Sequence, residues 1–226
     1  MDLNSRLKFM NELMSHDVTR DRVLLAAVEI FARKGFKEAT IREICAKADV
    51  NVASVNYYFR TKASLYAEAL AYAFSQADRR YPQDQAKDDR LPAAVRLTAF
   101  IRVFLHKLMD ESNLGYHGKL IAREIADPTE ALDGIVKIAI VPQFEILKDI
   151  VPKLIGPGHG EENVHRCILG ILGQCLMFKH SRSIIDRICP ELVAGDEQIE
   201  RTAAHIARFS LAAFSRMAST DQGRAP

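Results

Sequence analysis

The chain has 226 residues, 48% of them hydrophobic and 27% charged, with a formal net charge of +2; that is enough apolar matter for a real core and excludes a disordered chain. No apolar run reaches the roughly 18 residues of a membrane span, and the opening segment has no signal-peptide h-region. The four cysteines, Cys45, Cys167, Cys175 and Cys189, show no CxxC spacing, so free thiols in a reducing cytoplasm are expected rather than disulfides or a zinc ribbon.

Helical periodicity runs throughout, without hairpin signals or period-2 alternation, so the expected fold class is all-α. Residues 1–18, with Leu3, Leu7, Met10 and Met14, suit a short amphipathic helix or an arm. Thr19 is a good N-cap for a helix to Lys34, whose Leu24, Ala27, Val28 and Phe31 form one stripe, and Gly35 stops it. Thr40-Ile41-Arg42-Glu43 is a capping box that opens a second helix ending at Ala48-Asp49-Val50. A short third helix follows Asn51 and ends near Phe59. Thr61 caps a fourth that runs towards Arg80.

The polar stretch 81–91 reads as a loop and domain boundary, which separates an N-terminal domain, 19–80, from a second, 92–217. Pro92 suits the first position of the next helix, and Asn113-Leu114-Gly115 breaks it. A short helix over His117–Ala126 is expected next. A longer one follows from Asp127-Pro128-Thr129 to Ile155, kinked at Pro142 and Pro152. After the Gly156–Gly160 loop come two closing helices, Glu161–Ile185 and Asp196–Met217, and a frayed tail, 218–226.

Residues 40–59 hold two helices joined by a three-to-four-residue turn, a helix-turn-helix unit. Its second helix must be short and keep a small, polar face free to enter a major groove. Ala53, Ser54, Asn56 and Tyr57 meet that demand, while Val52, Val55 and Phe59 are read as facing inward. Residues 1–62 carry eleven Lys/Arg against eight Asp/Glu, a bias that permits a polyanion partner without requiring one. The pattern, not the charge, points to DNA.

The stretch from Thr19 to about Tyr72 resembles the DNA-binding domain of the TetR family of one-component transcriptional regulators. The resemblance is carried by Ala26-Ala27, Phe31, Gly35-Phe36, Thr40-Ile41, Ile44-Cys45, Ala48, Val50, Val55, Tyr57-Tyr58-Phe59, Thr61-Lys62 and Leu65. The string Asn51–Lys62 departs from the commoner form, which has Tyr at the place of Asn56 and His at that of Tyr58, so no operator sequence is implied. Most of residues 92–214 are similar to the CecR-like branch, through Ala122-Arg123-Glu124, Asp127-Pro128-Thr129, Ala131-Leu132-Asp133, Pro142, Leu172-Gly173-Gln174-Cys175, Ile206 and Phe209-Ser210-Leu211.

The resemblance implies roles residue by residue. Thr40, at a helix N-terminus, donates to a phosphate, Tyr57 and Tyr58 hold the backbone, and Lys62 pairs with a phosphate. Ser54 and Asn56 read base edges, and Arg42 and Lys47 add phosphate contacts. It further implies a homodimer built from the last two helices. Gly170 and Gly173 permit close approach there, and Ile199, Ile206, Phe209, Ala213 and Met217 supply apolar faces, although the same helices could pack inside the monomer. Residues 92–185 should enclose a small-molecule effector, with Phe100, Phe104, Arg123, Phe144, Gln174 and Phe178 as candidates. Most aromatics at helical spacing are core, and Arg123 could pair with its neighbour Glu124 or sit in a structural salt bridge.

The function implied is a ligand-responsive repressor that leaves a palindromic operator on double-stranded DNA when its effector binds. Effector binding would tilt the middle helices and move the fourth helix as a lever. No catalytic motif, cofactor or metal site is expected, since the histidines are scattered outside any HExxH, GxSxG or P-loop context. The alternatives are a metal- or thiol-sensing regulator using Cys167, Cys175 and nearby His, or an effector-free architectural DNA-binding protein.

Overall fold

The computed structural model describes residues 3–110, 116–192 and 195–222, and among them there is no strand. Helix α1 spans Leu3–Glu38 and runs uninterrupted through Thr19, where a cap was expected. Residues 15–22 hold neither Gly nor Pro, so nothing obliges the backbone to leave the helix there. The stop expected at Gly35 is a break inside this span: Gly35 has φ +80° and ψ 175°, a conformation that side-chain-bearing residues rarely adopt, and a last short turn follows it to Glu38.

Helix α2, Ile41–Ala48, opens on Thr40 as a complete capping box. The Glu43 amide donates to Thr40 Oγ1 at 3.3 Å, and the Thr40 amide donates to Glu43 Oε2 at 3.1 Å. Helix α3 covers Val52–Phe59. Its N-cap is Asn51, whose Oδ1 accepts from the Ser54 amide at 2.8 Å. Helix α4, Lys62–Arg80, opens where Thr61 Oγ1 accepts from the Ser64 amide at 3.0 Å. The apolar stripes of the four helices meet in one core, with Leu24, Phe31, Ile44, Val55, Phe59, Leu65 and Leu70 all buried.

The stretch 81–91 is not a plain loop. It holds a short helix, α5, at Asp84–Lys87, with Ala86 buried. The reason lies in Arg96 of α6, Ala93–Met109. Its guanidinium is buried and must find partners; it donates to the Ala86 carbonyl at 2.9 Å and pairs with Asp149 at 2.6 Å. Pro92 is the N-cap of α6 rather than its first residue. The Asn113–Gly115 break lies outside the described residues.

Helix α7 is Tyr116–Ala126. The single kinked helix expected after it is instead α8, Leu132–Ile135, a π-helical turn, Val136–Ile140, and α9, Val141–Ile155. Pro142 has no amide proton to give to the preceding turn, and the wider π turn sits directly before it. Gly156 ends α9 with φ +84°. The helix expected over Glu161–Ile185 divides at Ser181 into α10, Glu161–His180, and α11, Arg182–Ile188. Helix α12, Asp196–Gln222, continues past the expected end at Met217 into the segment read as a frayed tail; residues 223–226 lie outside the described part.

The contacts divide the chain into two compact units, residues 1–76 with 111–139, and residues 77–110 with 140–226. The division therefore falls inside α4, not at 81–91, and α7 and α8 join the N-terminal unit. Polar ties explain this. Glu124 of α7 is 1% exposed; it accepts from the Tyr66 hydroxyl at 2.6 Å and from the Thr129 amide at 3.1 Å. In the second unit, α6, α9, α10 and α12 bury Leu97, Phe100, Leu147, Ile150, Ile168 and Ala203 in a core of their own. No helix among the described residues is long and apolar enough to cross a membrane.

Candidate nucleic-acid interface

The turn between α2 and α3 is fixed from both sides. Asp49 closes α2 in the left-handed region, φ 52° and ψ 54°, which Asp tolerates better than most residues. Arg22 of α1 donates to the Ala48 carbonyl at 2.6 Å and the Asp49 carbonyl at 3.1 Å, so the guanidinium caps the end of α2. Arg20 pairs with Glu68 and lies 5.7 Å from the centroid of the Phe59 ring. Neither arginine was singled out in the sequence; both serve partners on helices far away in the chain, and no local spacing marks them.

Helix α3 is anchored by Val55 and Phe59, which are 2% and 1% exposed. Val52, Ala53, Asn56 and Tyr57 face out. Asn56 is exposed, and Tyr57 is 71% exposed, with its ring edge-on to Tyr58 at 5.2 Å. Val52, read as inward, is instead 43% exposed: it shares the face of Val55 and Phe59, but as the first residue of the helix it sits at the open end of that stripe. Tyr58 is half-buried and packs on the core. Ser54 is half-buried too, and its hydroxyl donates to Asn51 Oδ1 at 3.0 Å, which commits its proton to the cap.

The flanking candidates divide. Thr40 and Arg42 are exposed, and Thr40 Oγ1 also donates to Glu43 Oε2 at 3.0 Å. Lys47 is exposed and pairs with Glu29 at 2.8 Å. Lys62 opens α4, donates to the Lys37 carbonyl at 3.2 Å and sits 4.8 Å from the Phe36 ring centroid. Two of its three ammonium donors remain beyond that bond. Arg60, exposed and at φ 60°, ψ −52°, is an addition to the sequence set. It closes α3 in a backbone region unfavourable for a side-chain-bearing residue, and such strain concentrates at functional positions.

The effector candidates do not all come together. Arg123 lies in the N-terminal unit, where it donates to the Ala32 carbonyl at 3.0 Å and the Arg33 carbonyl at 2.6 Å. Orphan carbonyls at the end of a helix attract a cation, and the absent side chain of Gly35 leaves room for it: a Cβ there would stand 3.2 Å from Arg123 Nη1. The residue is thus a structural cap rather than part of the expected pocket, and not the salt bridge entertained as the alternative. Phe100, Phe104, Phe144, Gln174 and Phe178 lie in the second unit. Phe100 is fully buried and stacks on Phe104 at 5.5 Å. Phe144 lies 5.3 Å from His165. Gln174 donates to the Gly170 carbonyl of its own helix at 3.2 Å. Phe178 lines a small hollow with Leu105 and Met109.

Among the dimer candidates, Ile206 is 2% exposed within one chain and is corrected to core; it lies on the α12 stripe that packs inward. Ile199 and Met217 are half-buried against the second core. Gly170, Gly173 and Ala213 are exposed, and Phe209 is 61% exposed. Leu169 and Met177, one turn either side of Gly173, extend the bare apolar face of α10. Among the described residues no three His, Cys, Asp or Glu gather in a way that could hold a metal ion. Burial pushes the Cys175 thiol up to about 12 and raises those of Cys45 and Cys167.

Comparison with known proteins bears on both halves. Residues 23–69 match the family described as bacterial regulatory proteins, tetR family. Residues 93–214 match the C-terminal domain of the HTH-type transcriptional dual regulator CecR. The chain is 35% identical over 88 residues to the HTH-type transcriptional repressor NicS of Pseudomonas putida, a match that spans 38% of this chain and only 41% of NicS. It is 25% identical over 177 residues to CecR of Shigella flexneri, spanning 74% of this chain and 78% of CecR. Among solved structures, FadR of Bacillus subtilis in complex with stearoyl-CoA has the same fold, with a TM-score of 0.64 at 18% identity over 84% of this chain and 96% of FadR.

Proposed function

This chain belongs to the TetR family of bacterial regulatory proteins, with a C-terminal domain of the CecR type, and on that premise we propose that it is a dimeric, effector-responsive repressor acting on DNA in the cytoplasm. The observation that carries the reading is α3. Its inner face is locked by Val55 and Phe59, and its outer face offers Asn56 and Tyr57 to solvent. A short helix held this way can enter a major groove, where an Asn amide can pair with both hydrogen-bonding atoms of an adenine edge. Arg42, Lys47, Tyr57, Tyr58 and Lys62, joined by Arg60, hold phosphates around it, and Thr40 joins them when its hydroxyl turns from Glu43. Ser54 assists with its hydroxyl oxygen.

Two such helices on one rigid body match a palindrome when they stand about 34 Å apart. The exposed apolar face of α10 and α12, with Leu169, Gly173, Met177, Phe209 and Ala213, is the surface we assign to the second copy; its apolar character supports that use. The effector belongs to the second unit, near Phe104, Phe144 and Phe178. Helix α4 is covalently continuous from the first unit into the second, so a ligand that displaces its C-terminal end alters the seat of α2 and α3. The ligand needs to favour one state about a hundredfold to supply roughly 2.7 kcal/mol of coupling.

Selection of bound duplexes from a random library by the full chain tests the reading. A palindrome with half-sites one helical turn apart is expected, with Asn56→Ala losing discrimination at one position of each half-site. Failure to enrich any sequence would overturn it.

A further inference from the structure

We infer that the N-terminal unit carries a small-molecule site of its own, separate from the effector region of the second unit, for a neutral and mainly apolar ring compound. A hollow of about 390 Å³ opens among α1, the last turn of α2, α4 and the start of α7. That volume falls in the range of roughly 300–1,000 Å³ typical of small-ligand pockets.

The lining specifies the ligand. Three alanines, Ala26, Ala48 and Ala73, each nearly buried, form the floor, and their small side chains are what leaves the space. Leu25, Tyr72 and Tyr116 form the walls. Leu25 is 52% exposed, so an apolar wall stands bare where a ring would cover it. Aromatic walls favour offset or edge-on contact with another ring.

The charged groups at the rim are mutually engaged. Arg22 pairs with Asp49 at 3.4 Å, and Lys47 pairs with Glu29 at 2.8 Å. Two cations and two anions leave no net charge to attract an ionic ligand, and an ionic one would have to break a pair to enter. Gln76 adds one amide at the edge, suited to a single hydroxyl, amine or carbonyl on the ring. A ligand seated here touches α1, α2 and α4 together, so it braces the support of the reading helix directly, without passing through the second unit.

The test uses the 226-residue chain and N-phenylnaphthylamine, a neutral probe whose fluorescence rises in apolar surroundings. Saturable binding is expected, with a dissociation constant on the order of 100 μM for so small a ligand. Leu25→Asp replaces the apolar wall with a hydrated charge at a half-exposed position, and Ala73→Leu fills the floor. Each should weaken the probe at least tenfold while helix content is retained. If Ala73→Leu does not fold, Leu25→Asp alone decides. Absence of saturable binding, or binding that neither folded variant weakens, overturns the site. The titration contains no DNA, so its failure leaves the operator reading standing, and failure to find an operator leaves this site standing.

Discussion

Replacing Tyr66 by Phe isolates one hydroxyl that joins α4 to α7. Tyr66 is 1% exposed, and its ring packs edge-on to Phe31 at 4.7 Å and tilted on Phe36 at 5.1 Å. Phe keeps those contacts. What disappears is the 2.6 Å bond to Glu124, itself 1% exposed. Burial, and then the carboxylate, push the Tyr66 hydroxyl well above its ordinary range, so it remains a donor throughout neutral and mildly alkaline solution. A hydrogen bond to a charged group contributes about 1.5–3 kcal/mol. Thr129 Oγ1 still donates to Glu124 at 3.0 Å, which keeps the loss near the middle of that range. Melting followed by far-UV circular dichroism should fall by about 4–8 °C, at roughly 2–4 °C per kcal/mol for a chain of this size. Glu124→Gln should destabilise as well, and the double variant should show coupling of at least about 1 kcal/mol. A Tyr66→Phe loss under about 0.5 kcal/mol, or simple additivity, would mean that the buried carboxylate does not depend on this donor.

At Arg60, φ 60° and ψ −52° carry a penalty of roughly 1–3 kcal/mol for a residue with a side chain, so Arg60→Gly should raise the melting temperature while weakening DNA binding; a lower melting temperature refutes the strain. Hydrogen bonds from Lys34 and then Thr40 hold the Glu43 carboxyl below its usual range. Its contribution is therefore complete above the unfolded pKa and disappears as pH falls through the folded one. Glu43→Gln should flatten the acid limb of a stability profile below about pH 5, and an unchanged limb counts against the box. Because the Cys175 thiol is pushed up to about 12, native protein treated with iodoacetamide should be labelled at half-buried Cys189 before Cys175 by peptide mass mapping. Early Cys175 labelling would revive thiol sensing.

Much of the reading head was legible because its signals are local. The Thr40–Glu43 box, the Asn51 and Thr61 openings and the Gly35 stop each lie within a few residues of the turn they control. The Thr19 cap was overruled because a cap residue acts only where the preceding backbone leaves the helix. The domain division was not legible. It depends on Glu124 meeting Tyr66 and on Arg123 meeting the carbonyls of Ala32 and Arg33, pairs separated by tens of residues. The same distance hid Arg22. Periodicity identified apolar faces on α12 but not which one turns inward, so Ile206 and Phe209 were grouped although only Phe209 is exposed.

The most direct test of the central claim is the salt dependence of operator affinity. The four cations of each protomer, Arg42, Lys47, Arg60 and Lys62, neutralise about eight phosphates per dimer and give a slope of log affinity against log salt near −7. Lys62→Ala, which removes one contact from each protomer, should reduce its magnitude by about two. A slope near zero, or one that Lys62→Ala and Arg42→Ala leave untouched, would contradict a duplex gripped by the flanks of α3.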